Sequence, residues 1–355
     1  MTLGFNKEGL YSDSGLPGRG ATRLALNVYG VGAGILVNSD RTRMAARASF
    51  GYFIKDAGAG SEIMAPPDST KDNQAPHDTA PTFAFFEAPG PPSCTGGETK
   101  IILRYPTGEY FESSELAPLL PLLIGIVTQN INQRVLNLCI IHGASLCLNG
   151  AGVILFGGSG SGKTTLALAL CQNGFAFLSD EFAAIEMTSH LLLPFPRPIL
   201  PRENTMRLLG LSTEREYTFD EADGRRYLID PTDGEFGIKI GGAAPIHSVF
   251  LIERTPGRPS AKPASSARTL ESIADNLINA SHLPTDARVA MLDVLFDVVR
   301  DANCWTLYSS SLPETVNAVL RAVENPPPGE RTAAEAHLTT VYRSARQKLE
   351  ALVAE

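Results

Sequence analysis

The sequence predicts an α/β protein in which a smaller β-rich domain precedes a larger domain of alternating strands and helices. Two observations predict this class. Residues 21–55 and 82–112 are rich in strand-forming runs that glycine and proline interrupt. From residue 116 onward, apolar runs of strand length alternate with stretches of helical periodicity. A chain of 355 residues is long enough for both domains.

In the first domain, predicted to cover residues 1–115, the first strands are expected at 24–29 and 34–37. The glycine-rich turn between them superficially has the spacing of a dinucleotide fingerprint. No helical pattern follows it, so a hairpin is the default interpretation. Residues 56–82 are rich in Pro, Gly, Asp and Ser, which predicts a long mobile loop. Further strands are expected at 82–87, 100–105 and 109–112.

The second domain, predicted over residues 116–325, begins with a helix at 119–136. Asn149-Gly150 lies between two apolar runs and predicts a tight hairpin. Further strands are expected at 182–186, 191–193, 248–253 and 304–308, and helices near 269–281, at 285–300 and from Pro313. The terminal segment, 326–355, is predicted to be a proline-rich linker and a helix. That helix either docks on its own domain or is exchanged between the subunits of a homo-oligomer.

Charge, cysteine content and hydropathy indicate which binding partners and which cellular compartment to expect. A net charge of −8 with no basic stripe argues against nucleic acid. The five cysteines are scattered and odd in number, which favours buried thiols in a reducing cytosol. No signal peptide is recognisable. The most apolar segment, 116–127, contains two prolines and is shorter than the ~20 residues of a spanning helix. We therefore expect a cytoplasmic protein without a membrane partner.

The most specific motif is a glycine-rich loop at residues 157–164, which fits the phosphate-binding pattern Gly-x-x-x-x-Gly-Lys-Ser/Thr. A strand-forming run precedes it, and a helical stretch, 163–173, follows and ends at Gly174. The glycines let backbone N–H groups approach a triphosphate, and the helix N-terminus adds partial positive charge. The alternative is a glycine-rich turn that binds nothing. The predicted nucleotide-binding residues are Gly157, Gly158, Ser159, Gly160, Ser161, Gly162, Lys163, Thr164 and Thr165.

Two acids follow this loop at a sequence separation that distinguishes between families of nucleotide-binding proteins. Asp180 comes 180 − 163 = 17 residues after Lys163 and, with Glu181, ends a predicted strand beside the phosphates. Transporter-type ATPases carry their second acidic motif far downstream and also an LSGGQ-like signature, which this sequence lacks. We expect Lys163 to reach the β and γ phosphates of ATP. The predicted Mg²⁺ ligands are Thr164, Asp180 and Glu181.

Residues 141–186 together resemble the C-terminal domain of bacterial HPr kinase/phosphorylase, and more closely the looser set of HPr-kinase-related proteins. The resemblance rests on His142-Gly143, a hairpin, the glycine loop, its helix, and a strand closing with acids. A proline-rich segment at 193–198 is also similar to the related set. The resemblance implies a fold like phosphoenolpyruvate carboxykinase and ATP-dependent phosphorylation of a serine hydroxyl of a protein. It implies that Asp180 takes the hydroxyl proton and that His142 lies near the phosphates.

Physical chemistry supports these roles but leaves alternatives. A serine hydroxyl is a poor nucleophile, so alignment and charge neutralisation carry phosphoryl transfer. Asp180 could instead only order the metal ion. Glu181 could be a structural partner, and His142 a structural histidine. The spacing of Cys139, His142 and Cys147 hints at zinc, but no fourth ligand follows.

Transition-state charge also calls for a cation opposite Lys163. Arg197, in the proline-constrained segment, is the first choice. The other candidates are Arg202, Arg225, Arg226 and Lys239.

The bifunctional enzymes carry a segment resembling Glu-x-Arg-Gly-x-Gly-x-x-Asp, which residues 234–253 lack, so phosphorylase activity and HPr as substrate are not expected. Related proteins without this segment include kinases of ribosomal peptide precursors. The leading hypothesis is therefore an ATP-dependent kinase acting on a hydroxyl, foremost a serine, of a protein or peptide. The alternatives are a small-molecule kinase and an ATP-binding scaffold that transfers no phosphate.

Overall fold

The computed structural model describes residues 4–6, 21–54, 80–89, 99–221, 223–232, 237–325 and 332–351. In chain order the strands are β1 (Gly4–Asn6), β2 (Thr22–Val28), β3 (Val31–Val37), β4 (Thr82–Pro89), β5 (Thr99–Arg104), β6 (Tyr110–Ser113), β7 (Leu138–Leu148), β8 (Ala151–Phe156), β9 (Ala176–Ser179), β10 (Phe182–Glu186), β11 (Leu191–Leu193), β12 (Thr218–Glu221), β13 (Gly224–Tyr227), β14 (Ala244–Arg254), β15 (Ser260–Pro263) and β16 (Asn303–Ser309). The helices are α1 (Asp40–Phe50), α2 (Leu120–Asn132), α3 (Lys163–Gln172), α4 (Glu203–Leu208), α5 (Ser266–Ala274), α6 (Thr285–Asp301), α7 (Leu312–Glu324) and α8 (Thr332–Ala351).

These elements form a mixed α/β fold, as the sequence predicted, divided into two compact units. One unit comprises Met1–Val135 with Arg215–Asp230, and the other comprises Leu136–Glu214 with Pro231–Glu355. The domain boundaries placed after residues 115 and 325 stay predictions. The loop expected at 56–82 falls almost wholly outside the described residues, as do residues 326–329 of the linker and Leu352.

The first unit contains a six-stranded sheet in the order β1-β6-β5-β4-β3-β2. The hairpin predicted at the first glycines is confirmed, because β2 and β3 pair antiparallel up to Val28 opposite Val31. The β-rich interpretation of residues 21–55 is incomplete, since α1 follows β3 directly. Ser39 begins α1 with a capping box to Thr42. An alanine- and arginine-rich sequence then continues it as a helix.

The second unit contains an eight-stranded sheet in the order β11-β10-β7-β8-β14-β16-β15, with β9 paired to β7. Strands β8, β14 and β16 are parallel, and β7 is antiparallel to β8. The predicted turn is confirmed: Leu148 pairs with Ala151, and Asn149 and Gly150 have φ angles of 52° and 83°. This turn fixes where β8 starts, and therefore where the loop after β8 emerges.

Most predicted elements of the second unit are confirmed, with one correction. The helix expected near 269–281 is α5, which begins and ends earlier than predicted. It begins earlier because the Ser265 side chain caps its N-terminus by accepting a hydrogen bond from the Arg268 backbone N–H. A separate short 3-10 turn covers Ala280–His282. The described cysteines, Cys139, Cys147, Cys171 and Cys304, are buried free thiols. No helix among the described residues is long and apolar enough to cross a membrane.

The terminal helix α8 packs on α5 and α6 of its own chain. Leu338 is buried in the core there. The Tyr342 hydroxyl donates to the Asp293 carboxylate at 2.6 Å, and the Tyr342 ring lies 4.5 Å from that of Phe296. These contacts favour the docked interpretation of this helix, and exchange between subunits stays a prediction.

Candidate functional site

The glycine-rich loop connects the central buried strand β8 to α3. Gly157 has a φ of 153°, and a Cβ atom built on it would lie 2.7 Å from the Ile252 carbonyl oxygen of β14. No larger residue fits there without moving the sheet. Gly162 has a φ of 95° at the N-cap of α3, where no side chain caps the helix. The backbone N–H groups in the first turn of α3 are therefore able to donate hydrogen bonds to an anion.

Lys163 is folded back over this loop. Its Nζ donates to the carbonyl oxygens of Gly157 at 2.9 Å and Gly158 at 3.3 Å. The side chain is buried, and this burial lowers the pKa of the amine, an effect that the Glu181 carboxylate opposes. The ammonium group is thus already largely desolvated at the loop, where residues 158–160 are exposed.

Asp180 lies directly after β9, within reach of the start of α3. The Thr164 hydroxyl donates to Asp180 Oδ2 at 3.1 Å. Asp180 is only 4% exposed, and burial raises the pKa of its carboxyl to about 6, with the Arg197 guanidinium acting in the opposite direction. Among the described residues no donor reaches Oδ1, although this oxygen is buried. A buried carboxylate oxygen without a partner is costly, so the site favours a proton or a cation there.

His142 and Glu181 are brought together by the pairing of β7 with β10, in which His142 lies opposite Phe182. His142 Nδ1 is 3.3 Å from Glu181 Oε1. Burial lowers the pKa of His142; the Glu181 carboxylate opposes this, while Lys163 and Arg197 add to it. The surroundings therefore favour a neutral imidazole beside the Glu181 carboxylate.

Arg197 is the predicted cation that the structure brings to these acids. Its guanidinium carbon lies 5.5 Å from the centre of the Phe182 ring, and its charge acts on both Asp180 and His142. Its Nε is buried and has no hydrogen-bond acceptor among the described residues.

The other candidate cations are placed differently. Arg225 and Arg226 belong to the other unit, where they pair with Asp220 at 3.0 Å and Glu221 at 2.9 Å. Arg202 forms the N-cap of α4, and Lys239 is exposed.

Two further side chains lie near the glycine loop or the start of α3. The Thr165 hydroxyl, predicted to bind nucleotide, is 2.8 Å from the Thr205 hydroxyl of α4. Arg254 was not a sequence candidate, yet its guanidinium lies beside Gly162. The only available signal was that the strand predicted at 248–253 is immediately followed by this arginine.

The described residues contain no cluster of three or more His, Cys, Asp or Glu side chains that could hold a metal ion. The zinc spacing at Cys139, His142 and Cys147 therefore forms no such cluster, and burial raises the pKa of Cys139 to about 12. Of the predicted Mg²⁺ ligands, Thr164 and Asp180 are in contact, and Glu181 is paired with His142.

Comparison with known proteins confirms the resemblance to the HPr-kinase-like family. The HPr kinase/phosphorylase of Shouchella clausii (strain KSM-K16) is 30% identical over 86 residues, which are 24% of this chain and 28% of that protein. The match thus spans less than a third of the relative's length. A solved structure, the HPr(Ser) kinase/phosphatase from Coxiella burnetii, is 15% identical with a TM-score of 0.21, over 61% of this chain and 94% of that chain. No family model matches the chain.

Proposed function

We propose that this chain is an ATP-dependent kinase that transfers the γ-phosphoryl group to a hydroxyl, foremost a serine hydroxyl of a protein or peptide. The observation that carries the proposal is the contact between Thr164, at the start of α3, and the buried carboxylate of Asp180. A hydroxyl and an acid at the end of a glycine-rich loop are the groups that phosphoryl transfer requires. The name of the Shouchella clausii relative agrees with this reaction class.

The residues present fit ATP and Mg²⁺. The backbone N–H groups of residues 157–162 and the Lys163 amine would hold the phosphates, and Thr164 and Asp180 would hold Mg²⁺, with Glu181 beside them. The closeness of Ile252 to Gly157 keeps side chains out of the loop, and the unpartnered Asp180 Oδ1 offers a ligand oxygen. Bound Mg²⁺-ATP supplies the phosphoryl group and neutralises part of its charge.

The side chains divide the remaining work. Asp180 accepts the proton of the acceptor hydroxyl, and its pKa of about 6 leaves it ionised yet basic at neutral pH. Lys163 exchanges its loop carbonyls for phosphate oxygens and stabilises the developing negative charge. Arg197 adds a second positive charge facing Asp180. His142, whose Nδ1 lies 3.3 Å from Glu181 Oε1, limits the orientations open to that carboxylate.

Transfer of label from γ-labelled ATP tests the function directly. The purified chain is incubated with Mg²⁺ and three kinds of acceptor: HPr, serine-containing peptides, and small hydroxylated metabolites. Phosphoserine on a peptide is the expected result, whereas HPr is not expected to be labelled, because residues 234–253 lack the segment of the bifunctional enzymes. Label found only on a metabolite would instead identify a small-molecule kinase. ATP binding without transfer to any acceptor would contradict the proposal and leave an ATP-binding scaffold.

The pH profile should show an acidic limb set by Asp180. Because burial raises the pKa of this carboxyl to about 6 in the enzyme without bound Mg²⁺-ATP, the state whose ionisation kcat/KM reports, the base is protonated below that pH, and kcat/KM should fall about tenfold per pH unit there. Above pH 7 this group is ionised and kcat/KM should be level with respect to it. Initial rates from pH 5 to pH 8 check the prediction, and a profile that stays flat down to pH 5 would contradict the assignment of Asp180 as base.

A further inference from the structure

The carboxyl end of β14 lies at the same edge of the sheet as the glycine loop. Strands β8 and β14 are parallel, with Leu251 opposite Phe156, the last residue before the loop. Arg254, three residues further on, ends β14. Because ligands of α/β sheets bind outside the carboxyl ends of parallel strands, Arg254 is at the edge where a nucleotide would bind.

The distances place the Arg254 side chain against the loop itself. A Cβ atom built on Gly162 would lie 3.5 Å from Arg254 Nη2. Gly162 is the N-cap of α3 and directly precedes Lys163. The guanidinium therefore lies beside the helix N-terminus that an anion would approach.

Strand pairing fixes the backbone of Arg254, while its side chain is exposed to solvent. Arg254 pairs with Ser309 of β16, and the next backbone N–H, that of Thr255, donates to the Ser309 carbonyl at 3.0 Å. The side chain is exposed, and no carboxylate of the described residues forms an ion pair with it. Its neighbour Glu253 is already paired with Arg268 at 2.6 Å. Successive residues of a strand point to opposite faces of the sheet, so Arg254 points away from the face on which Glu253 pairs with Arg268.

We propose that Arg254 binds the phosphate chain of the nucleotide, as a second cation beside Lys163. This inference rests on the proposed nucleotide binding. A guanidinium donates two parallel hydrogen bonds to phosphate oxygens, which a lysine cannot reproduce. Arg197, stacked on Phe182 and acting on Asp180 and His142, serves the acid side of the site. Arg254, by contrast, lies beside the glycine loop, where the phosphates would bind.

Calorimetry with ATP, ADP and AMP, each with Mg²⁺, tests the proposal. Arg254→Ala should raise the Kd for ATP and ADP by about 10-fold to 100-fold, as expected for a lost charge-assisted hydrogen bond. AMP, which has a single phosphate, should be affected less. Arg254→Lys should fall between wild type and Arg254→Ala. The matched control is Arg268→Ala, which removes an exposed arginine paired with Glu253 and should bind ATP as wild type does.

The outcomes separate this inference from the function on which it rests. If Arg254→Ala binds ATP as tightly as wild type while Lys163→Ala does not, the role of Arg254 is overturned and the nucleotide site stands. If the wild-type chain itself binds neither ATP nor ADP at millimolar concentration, both proposals fall. Thermal unfolding verifies that each variant is folded, and Arg254→Gln replaces any Arg254→Ala protein that is not.

Discussion

Asp180→Asn is expected to lower phosphoryl transfer by about 10²-fold or more while leaving ATP binding nearly intact. The amide keeps the size of the side chain and can still accept the Thr164 hydroxyl hydrogen bond seen at Oδ2. It can no longer take a proton from the acceptor. Single-turnover transfer of labelled phosphate measures the first effect, and calorimetry with ATP measures the second.

The same substitution should not weaken the fold. The Asp180 carboxyl is buried, and its raised pKa shows that the surroundings disfavour its charged form, so a neutral amide removes an unfavourable charge. We expect an unfolding temperature equal to or above that of wild type, in the pattern of a stability–activity trade-off. A variant that transfers phosphate at nearly the wild-type rate would remove Asp180 from the mechanism. Asp301→Asn, at an exposed acid paired with Arg300, is the control and should change neither property.

Elements with local signals could be predicted from the sequence. A two-residue hairpin turn of this type needs two consecutive positive φ angles, which few residue pairs tolerate. Asn149-Gly150 is such a pair, and its presence between two apolar runs predicted the β7–β8 hairpin. The glycines of the loop and Gly174 likewise mark the start and the end of α3. In each case the backbone conformation depends on a few neighbouring residues.

Elements set by long-range contacts could not be predicted. The pairing of β14 with β8 brings Arg254 beside Gly162 across 254 − 162 = 92 residues. No local pattern indicates that distance, because strand order depends on tertiary packing. The same limit applies to Arg215–Asp230, which belongs to the first compact unit although the chain around it belongs to the second.

The sequence predicted the acids of the candidate site but not their burial or their hydrogen-bond partners. The spacing from Lys163 to Asp180 predicted that this acid lies beside the phosphates. Burial raises the pKa of Asp180, and only the structure shows that Oδ1 lacks a donor among the described residues. It also separates Arg197 from the other candidate cations, because stacking on Phe182 is a contact that the sequence does not specify.

Lys163→Ala is expected to weaken ATP binding at least about tenfold and to lower transfer by about 10³-fold. The Lys163 amine is already buried and hydrogen-bonded to the carbonyls of Gly157 and Gly158, so little further desolvation is needed when phosphate oxygens replace these acceptors. Alanine removes the charge from both the bound nucleotide and the transition state. Calorimetry with Mg²⁺-ATP and the labelled-phosphate assay measure the two losses.

The larger loss should be in transfer, because the charge that Lys163 stabilises increases as the phosphoryl group moves. Lys262→Ala is the matched control, since that amine lies 5.4 Å from the centre of the half-buried Tyr308 ring, on β15, which β14 and β16 separate from β8 in the sheet. Both properties should remain at the wild-type level. A folded Lys163→Ala protein with unchanged ATP affinity and turnover would reject the assignment of the glycine loop as the phosphate site. A protein that binds ATP weakly but transfers phosphate normally at saturation would instead restrict Lys163 to ground-state binding.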